Sequence, residues 1–123
     1  MKRDMDLIKA ILLDLEEHCD GTLYYVPTKE SVPYAYGGTD EEFRQHCRLI
    51  AQHGLADAVE KTRGGSINFL ALTWAGHDFL DDSRESKVWN AAKKAAGSFS
   101  FGIFMKVLVE VATRYAMSRI EGV

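Results

Sequence analysis

The sequence predicts an α+β fold, helices plus a β-hairpin with an additional apolar C-terminal helix, and three observations carry that expectation. Apolar residues recur at helical spacing near both ends of the chain. A capping box opens a further helix at Thr39. Two short segments, Ala56 to Glu60 and Ile67 to Leu72, read as strands joined by a glycine-bearing loop.

Asp4 or Asp6 caps the first helix, whose Leu7, Ile8, Ile11, Leu12 and Leu15 share one stripe and which runs to about His18 before Asp20-Gly21 stops it. Thr22 to Gly38 contains both prolines, Pro27 and Pro33, four tyrosines and a closing Gly37-Gly38. That content favours extended segments and turns over helix, with Leu23 to Val26 as a short strand. In Thr39-Asp40-Glu41-Glu42, the threonine hydroxyl is placed to accept from the third helical amide while Glu42 reaches back to Thr39. At 100° per residue Phe43, His46, Cys47 and Ile50 then fall on one side, and Arg44, Gln45, Arg48 and Gln52 form an arc on the other. Gly54 ends this helix in a left-handed cap, and Leu55 folds back on its last turn.

Ala56 to Glu60 and Ile67 to Leu72 are expected to pair as a hairpin with a basic tip carrying Lys61 and Arg63. Thr73 caps the next helix, built on Trp74, Phe79, Leu80, Val88 and Trp89 and expected to break between Ser83 and Ser86. Gly97-Ser98 resets the chain. Ser98 or Ser100 starts a last helix with Phe101, Phe104, Leu108, Val111, Ala112 and Tyr115 in register. Ile103, Met105, Val107 and Val109 make it apolar most of the way round, so it has a second surface to bury. The expected organisation is 1–97 as the main domain and 98–123 as a C-terminal helix serving dimerisation.

Composition narrows the function classes. The 123 residues are 46% hydrophobic, 27% charged and 11% aromatic, enough for a core without disulfide or metal support. A net charge of -3, from 15 Lys and Arg against 18 Asp and Glu, excludes a uniformly basic nucleic-acid coat and an acidic disordered tail. Cys19 and Cys47 form no disulfide framework, and no secretory leader opens the chain, so a cytoplasmic setting is expected. Phe99 to Met117 is interrupted by Lys106, Glu110 and Arg114, which excludes a membrane span.

Helix, helix with a Gly54-Leu55 turn, hairpin with a basic loop, then Leu72-Thr73-Trp74-Ala75-Gly76 entering another helix: this order resembles the winged-helix domains of bacterial and phage regulators. The opening Met1-Lys2-Arg3-Asp4-Met5-Asp6-Leu7-Ile8, the run Leu72-Thr73-Trp74-Ala75-Gly76-His77-Asp78-Phe79-Leu80-Asp81, and Val88-Trp89 resemble a phage- and prophage-associated family of unknown function, DUF2513. The resemblance implies a winged-helix-like fold and a mobile-element setting, with no activity or functional residue attached. One feature departs from the winged-helix order: the extended Thr22 to Gly38 stands where a helix would brace the recognition helix across the DNA backbone.

The leading expectation is a non-enzymatic duplex DNA-binding protein, a small regulator. Arg44, Gln45, Arg48 and Gln52 would face the groove, because Arg bridges guanine O6 and N7 and Gln pairs with adenine, while Lys61 and Arg63 would hold phosphate. Glu41, Asp57 and Glu60 stand nearby and repel phosphate. Phe101, Phe104, Leu108 and Tyr115 are the expected anchors of a homodimer. Two paired domains making roughly six to eight phosphate contacts would give a salt slope of about -5 to -7. The alternative is a protein-interaction adaptor that binds no nucleic acid and uses Tyr24, Tyr25, Tyr34 and Tyr36. Of Tyr24 and Tyr25 on one strand, at least one is exposed.

No metal or other cofactor is expected. His46 and His53 are nearly two turns apart on one helix, and neither C-x-x-C nor H-x-x-x-H spacing occurs. No catalytic residues are expected either. His77-Asp78 lacks a nucleophile beside it, and Gly37-Gly38 and Gly64-Gly65 are turn glycines rather than a phosphate cradle.

Overall fold

A computed structural model describes residues 2–60 and 65–121. Among these residues the fold is α+β, with five helices and one two-stranded antiparallel hairpin: α1 (Met5–His18), α2 (Asp40–Gln52), β1 (Ala56–Glu60), β2 (Ile67–Leu72), α3 (Trp74–Ser83), α4 (Ser86–Ala96) and α5 (Phe101–Glu121). Contacts group the chain into two compact units, Met1–His77 and Asp78–Val123.

In the first unit, Asp4 is the cap of α1, its carboxylate accepting from the Leu7 amide at 3.1 Å. The stripe Leu7, Ile8, Ile11, Leu12 and Leu15 is fully buried. Burying five such side chains contributes roughly 1.5–3 kcal/mol each, far more than a cap supplies. The expected capping box closes at the start of α2, with both reciprocal Thr39–Glu42 bonds at 3.1 Å. Phe43, His46, Cys47 and Ile50 face the core as their spacing requires. His46 ties the two helices together. Its Nε2 accepts from the Asp4 amide at 2.9 Å, which fixes the tautomer in which Nδ1–H donates to the Glu42 carbonyl at 2.7 Å.

The segment between α1 and α2 differs from expectation. Leu23 to Val26 does not form a strand; one bridge pairs Tyr25 with Phe69 through two 2.8 Å backbone bonds. Asp20 caps a local turn at Thr22, Gly21 has φ +89°, and Pro27 brings no amide, so extended pairing has no room to propagate. What holds the segment is a buried carboxylate. Asp14 on α1 accepts at Oδ2 from the Tyr25 hydroxyl and the Ser31 hydroxyl, both at 2.8 Å. Its Oδ1 lies 3.0 Å from His18 Nδ1, whose N–H is directed at the Asp14 backbone carbonyl instead. His18 stacks on Tyr25 with ring centroids 4.9 Å apart. That backbone hydrogen bond, together with the Asp14 and Glu17 charges, raises the His18 pKa above its usual value.

β1 and β2 pair from Ala56↔Leu72 to Glu60↔Ile67, with a bulge between Asp57 and Ala58. The Gly54-Leu55 turn and the Leu-Thr-x-x-Gly step form one joint. Gly54 turns at φ +69°, the Thr73 amide donates to the Leu55 carbonyl at 3.1 Å, and the Thr73 hydroxyl donates to the Gly54 carbonyl. Thr73 Oγ1 also accepts from the Gly76 amide at 3.1 Å, capping α3 as expected. Gly76 is required there because a Cβ would stand 2.0 Å from the Leu55 carbonyl oxygen.

In the second unit, α3 and α4 separate at the expected break, where buried Ser83 donates to the Leu80 carbonyl at 2.9 Å and Glu85 caps α4. Ser100 caps α5 through the Ile103 amide. α4 packs on α5, and Phe79, Trp89, Phe101 and Phe104 form an aromatic cluster with centroids 5.4–6.4 Å apart. The opposite side of α5 leaves Ile103, Val109, Met117 and Ile120 exposed.

Candidate nucleic-acid interface

With Phe43, His46, Cys47 and Ile50 turned inward, α2 presents Arg44, Gln45 and Arg48 half-buried and Gln52 exposed. The first three are brought together, and two carboxylates join them. Arg44 Nη1 donates to Glu41, and Gln45 Nε2 donates to the other Glu41 oxygen at 3.0 Å. Arg48 Nη1 donates to Gln45 Oε1 at 2.9 Å, while its Nε and Nη2 both donate to Glu60 Oε1 at 3.0 and 2.6 Å. A continuous ladder therefore runs Arg44, Glu41, Gln45, Arg48, Glu60, from the first turn of α2 to the end of β1. The Glu60 bond also raises the Arg48 pKa. Lys61 and Arg63, expected at the hairpin tip, lie outside the described residues.

Sequence reasoning missed Lys29. It is the sole cation of 22–38 and stands 3.9 Å from Asp40. Lys29 and Arg44 border a cleft of about 410 Å³ between residues 26–30, α2 and the start of β2. Cys47 lines the same cleft, and burial pushes its thiol up to about 12, which leaves it protonated and unreactive.

The four tyrosines are not one surface. Tyr25 bonds Asp14, and Tyr34 donates to Asp4 Oδ2 at 2.7 Å, a bond that with burial pushes its hydroxyl up to about 12. Tyr36 meets the His46 ring edge-on at 5.7 Å. Only Tyr24 among them is exposed, near Leu23, which is also exposed. Of the expected dimer anchors, Phe101, Phe104 and Leu108 are 1–2% exposed within the chain and Tyr115 is half-buried. His77 rests against Trp74, with centroids 5.9 Å apart. Among the described residues no cluster of three or more His, Cys, Asp or Glu is placed to hold a metal ion, and no helix is long and apolar enough to cross a membrane.

No solved structure matches this chain. It is 33% identical over 117 residues to an uncharacterized protein of Haemophilus influenzae, covering 91% of this chain and 92% of that relative. A family model described as "Hypothetical protein (DUF2513)" matches residues 2–102. With most of its length matched to that model, the chain belongs to the DUF2513 family of proteins of unknown function.

Proposed function

We propose that this protein is a non-enzymatic duplex DNA-binding protein of winged-helix build, a small phage- or prophage-type transcriptional regulator in which α2 enters the major groove. The observation that carries the reading is α2 itself. It buries one face in the core, turns Arg44, Gln45, Arg48 and Gln52 outward, and is followed directly by an antiparallel hairpin. The isolated Tyr25–Phe69 bridge lies at the position where such domains place a short third strand beside the hairpin. The brace helix is replaced by a Thr28–Ser31 turn, held to α1 through Ser31 and Asp14. Two copies pair through α5, using outward Val109, Met117 and Ile120, because the inner aromatics already fill the core.

The test is selection from a randomised duplex pool at about 50 mM salt, followed by fluorescence anisotropy on the enriched duplex. Enrichment is expected, with binding lost in Arg44→Ala/Arg48→Ala at an unchanged thermal midpoint. No enrichment, and no binding of random duplex at low salt, overturns the reading. A second reading, a protein-interaction adaptor, is favoured by Leu23, Tyr24 and Trp74, the last 84% exposed. It predicts that Trp74→Ala, not the arginine pair, abolishes partner binding.

A further inference from the structure

The Glu60–Arg48 contact reaches beyond the proposal that α2 binds DNA, on which this inference rests. Arg48 is held from two elements at once, by Glu60 at the end of β1 and by Gln45 one turn back on α2. These bonds occupy three of the five guanidinium N–H donors, on all three nitrogens, and immobilise a side chain that otherwise samples many rotamers. Glu60 also cancels its charge. A phosphate approaching Arg48 meets a carboxylate 2.6 Å from Nη2, so the net attraction that drives counterion release is removed at this position. What survives is a fixed, neutralised donor group, which suits a neutral acceptor pair and not an anion.

The geometry points to Glu60 as a positioning residue that turns Arg48 from a phosphate-binding cation into a reader of a paired acceptor on a base edge, as guanine presents with O6 and N7. Arg44 is also paired, through one contact from Nη1 to Glu41 on its own helix, so its charge is compensated as well. The wild-type salt slope is consequently shallower than a count of cations gives.

Glu60→Gln tests this, with binding measured on a random duplex and on an enriched duplex from about 50 to 200 mM salt. Releasing a cation should tighten random-duplex binding and steepen the salt slope by about 1. Loss of the fixed orientation should lower the enriched-to-random affinity ratio by about tenfold. Wild-type binding with slope and ratio both unchanged in Glu60→Gln overturns the positioning role and leaves DNA binding intact. Absence of binding by wild type and Glu60→Gln alike overturns both.

Discussion

Replacing Gly76 with alanine tests the joint between the Gly54-Leu55 turn and α3. The added Cβ would lie 2.0 Å from the Leu55 carbonyl oxygen, a backbone atom, where close C···O contacts need roughly 3.3 Å. The first turn of α3 or the Leu55 peptide must therefore move by more than an ångström, which also stretches the Thr73-to-Leu55 bond. Overpacking of this kind costs about 1–3 kcal/mol, and the clash with backbone puts this site at the upper end. Alanine recovers at most about 1 kcal/mol through its helix propensity. The net expectation is a loss of about 2 kcal/mol, seen as a thermal midpoint lower by about 6–10 °C in circular dichroism for a domain of this size. Gly102→Ala in α5 is the control, since the nearest atom is 3.9 Å away, and its midpoint should be unchanged or slightly higher. A Gly76→Ala protein as stable as wild type would refute the seating of Leu-Thr-x-x-Gly against the turn.

Asp14→Ala should destabilise the first unit by about 2–3 kcal/mol, because Tyr25 and Ser31 both lose a buried acceptor. Amide exchange at Tyr25 and Phe69 should rise more than exchange within α2. The raised pKa of His18 gives a pH dependence of known sign. Its stabilisation is complete below the unfolded value of 6.5 and is lost as pH rises through the folded value. Denaturation of wild type and His18→Gln from pH 5.5 to 8 should thus show a stability gap that closes on the alkaline side. Phe104→Ala should cost about 3–5 kcal/mol, whereas exposed Val109→Glu should keep the wild-type helical circular-dichroism spectrum, yield monomers in light scattering and lose the concentration dependence of the thermal midpoint.

Much of the fold was legible because local signals agreed with one another. The Thr39 capping box, the α1 stripe and the inward face of α2 each follow from spacing alone, and the break at Ser83 follows from the run of small and polar residues there. Leu23 to Val26 failed as a strand because its local propensity had to compete with Gly21, Pro27 and the side-chain bonds to Asp14, which only the folded chain brings together. Non-local pairs were likewise out of reach. Glu60 was recognised as a charge near the arc, but its bond to Arg48, twelve residues away, depends on how β1 runs beside α2. The last helix carries apolar residues on two sides, and periodicity does not say which side faces the protein. Phe101, Phe104 and Leu108 went to the core on the side that α4 covers, where Trp89 meets Phe104 edge-on and Phe79 stacks on Phe101.

The most direct test of the central claim is an amide chemical-shift titration of the labelled protein with short duplex DNA at low salt. The account predicts shifts concentrated on Arg44 to Gln52 and at the Glu60 end of β1. A titration that leaves α2 unmoved, or that moves Leu23, Tyr24 and Trp74 instead, would contradict it.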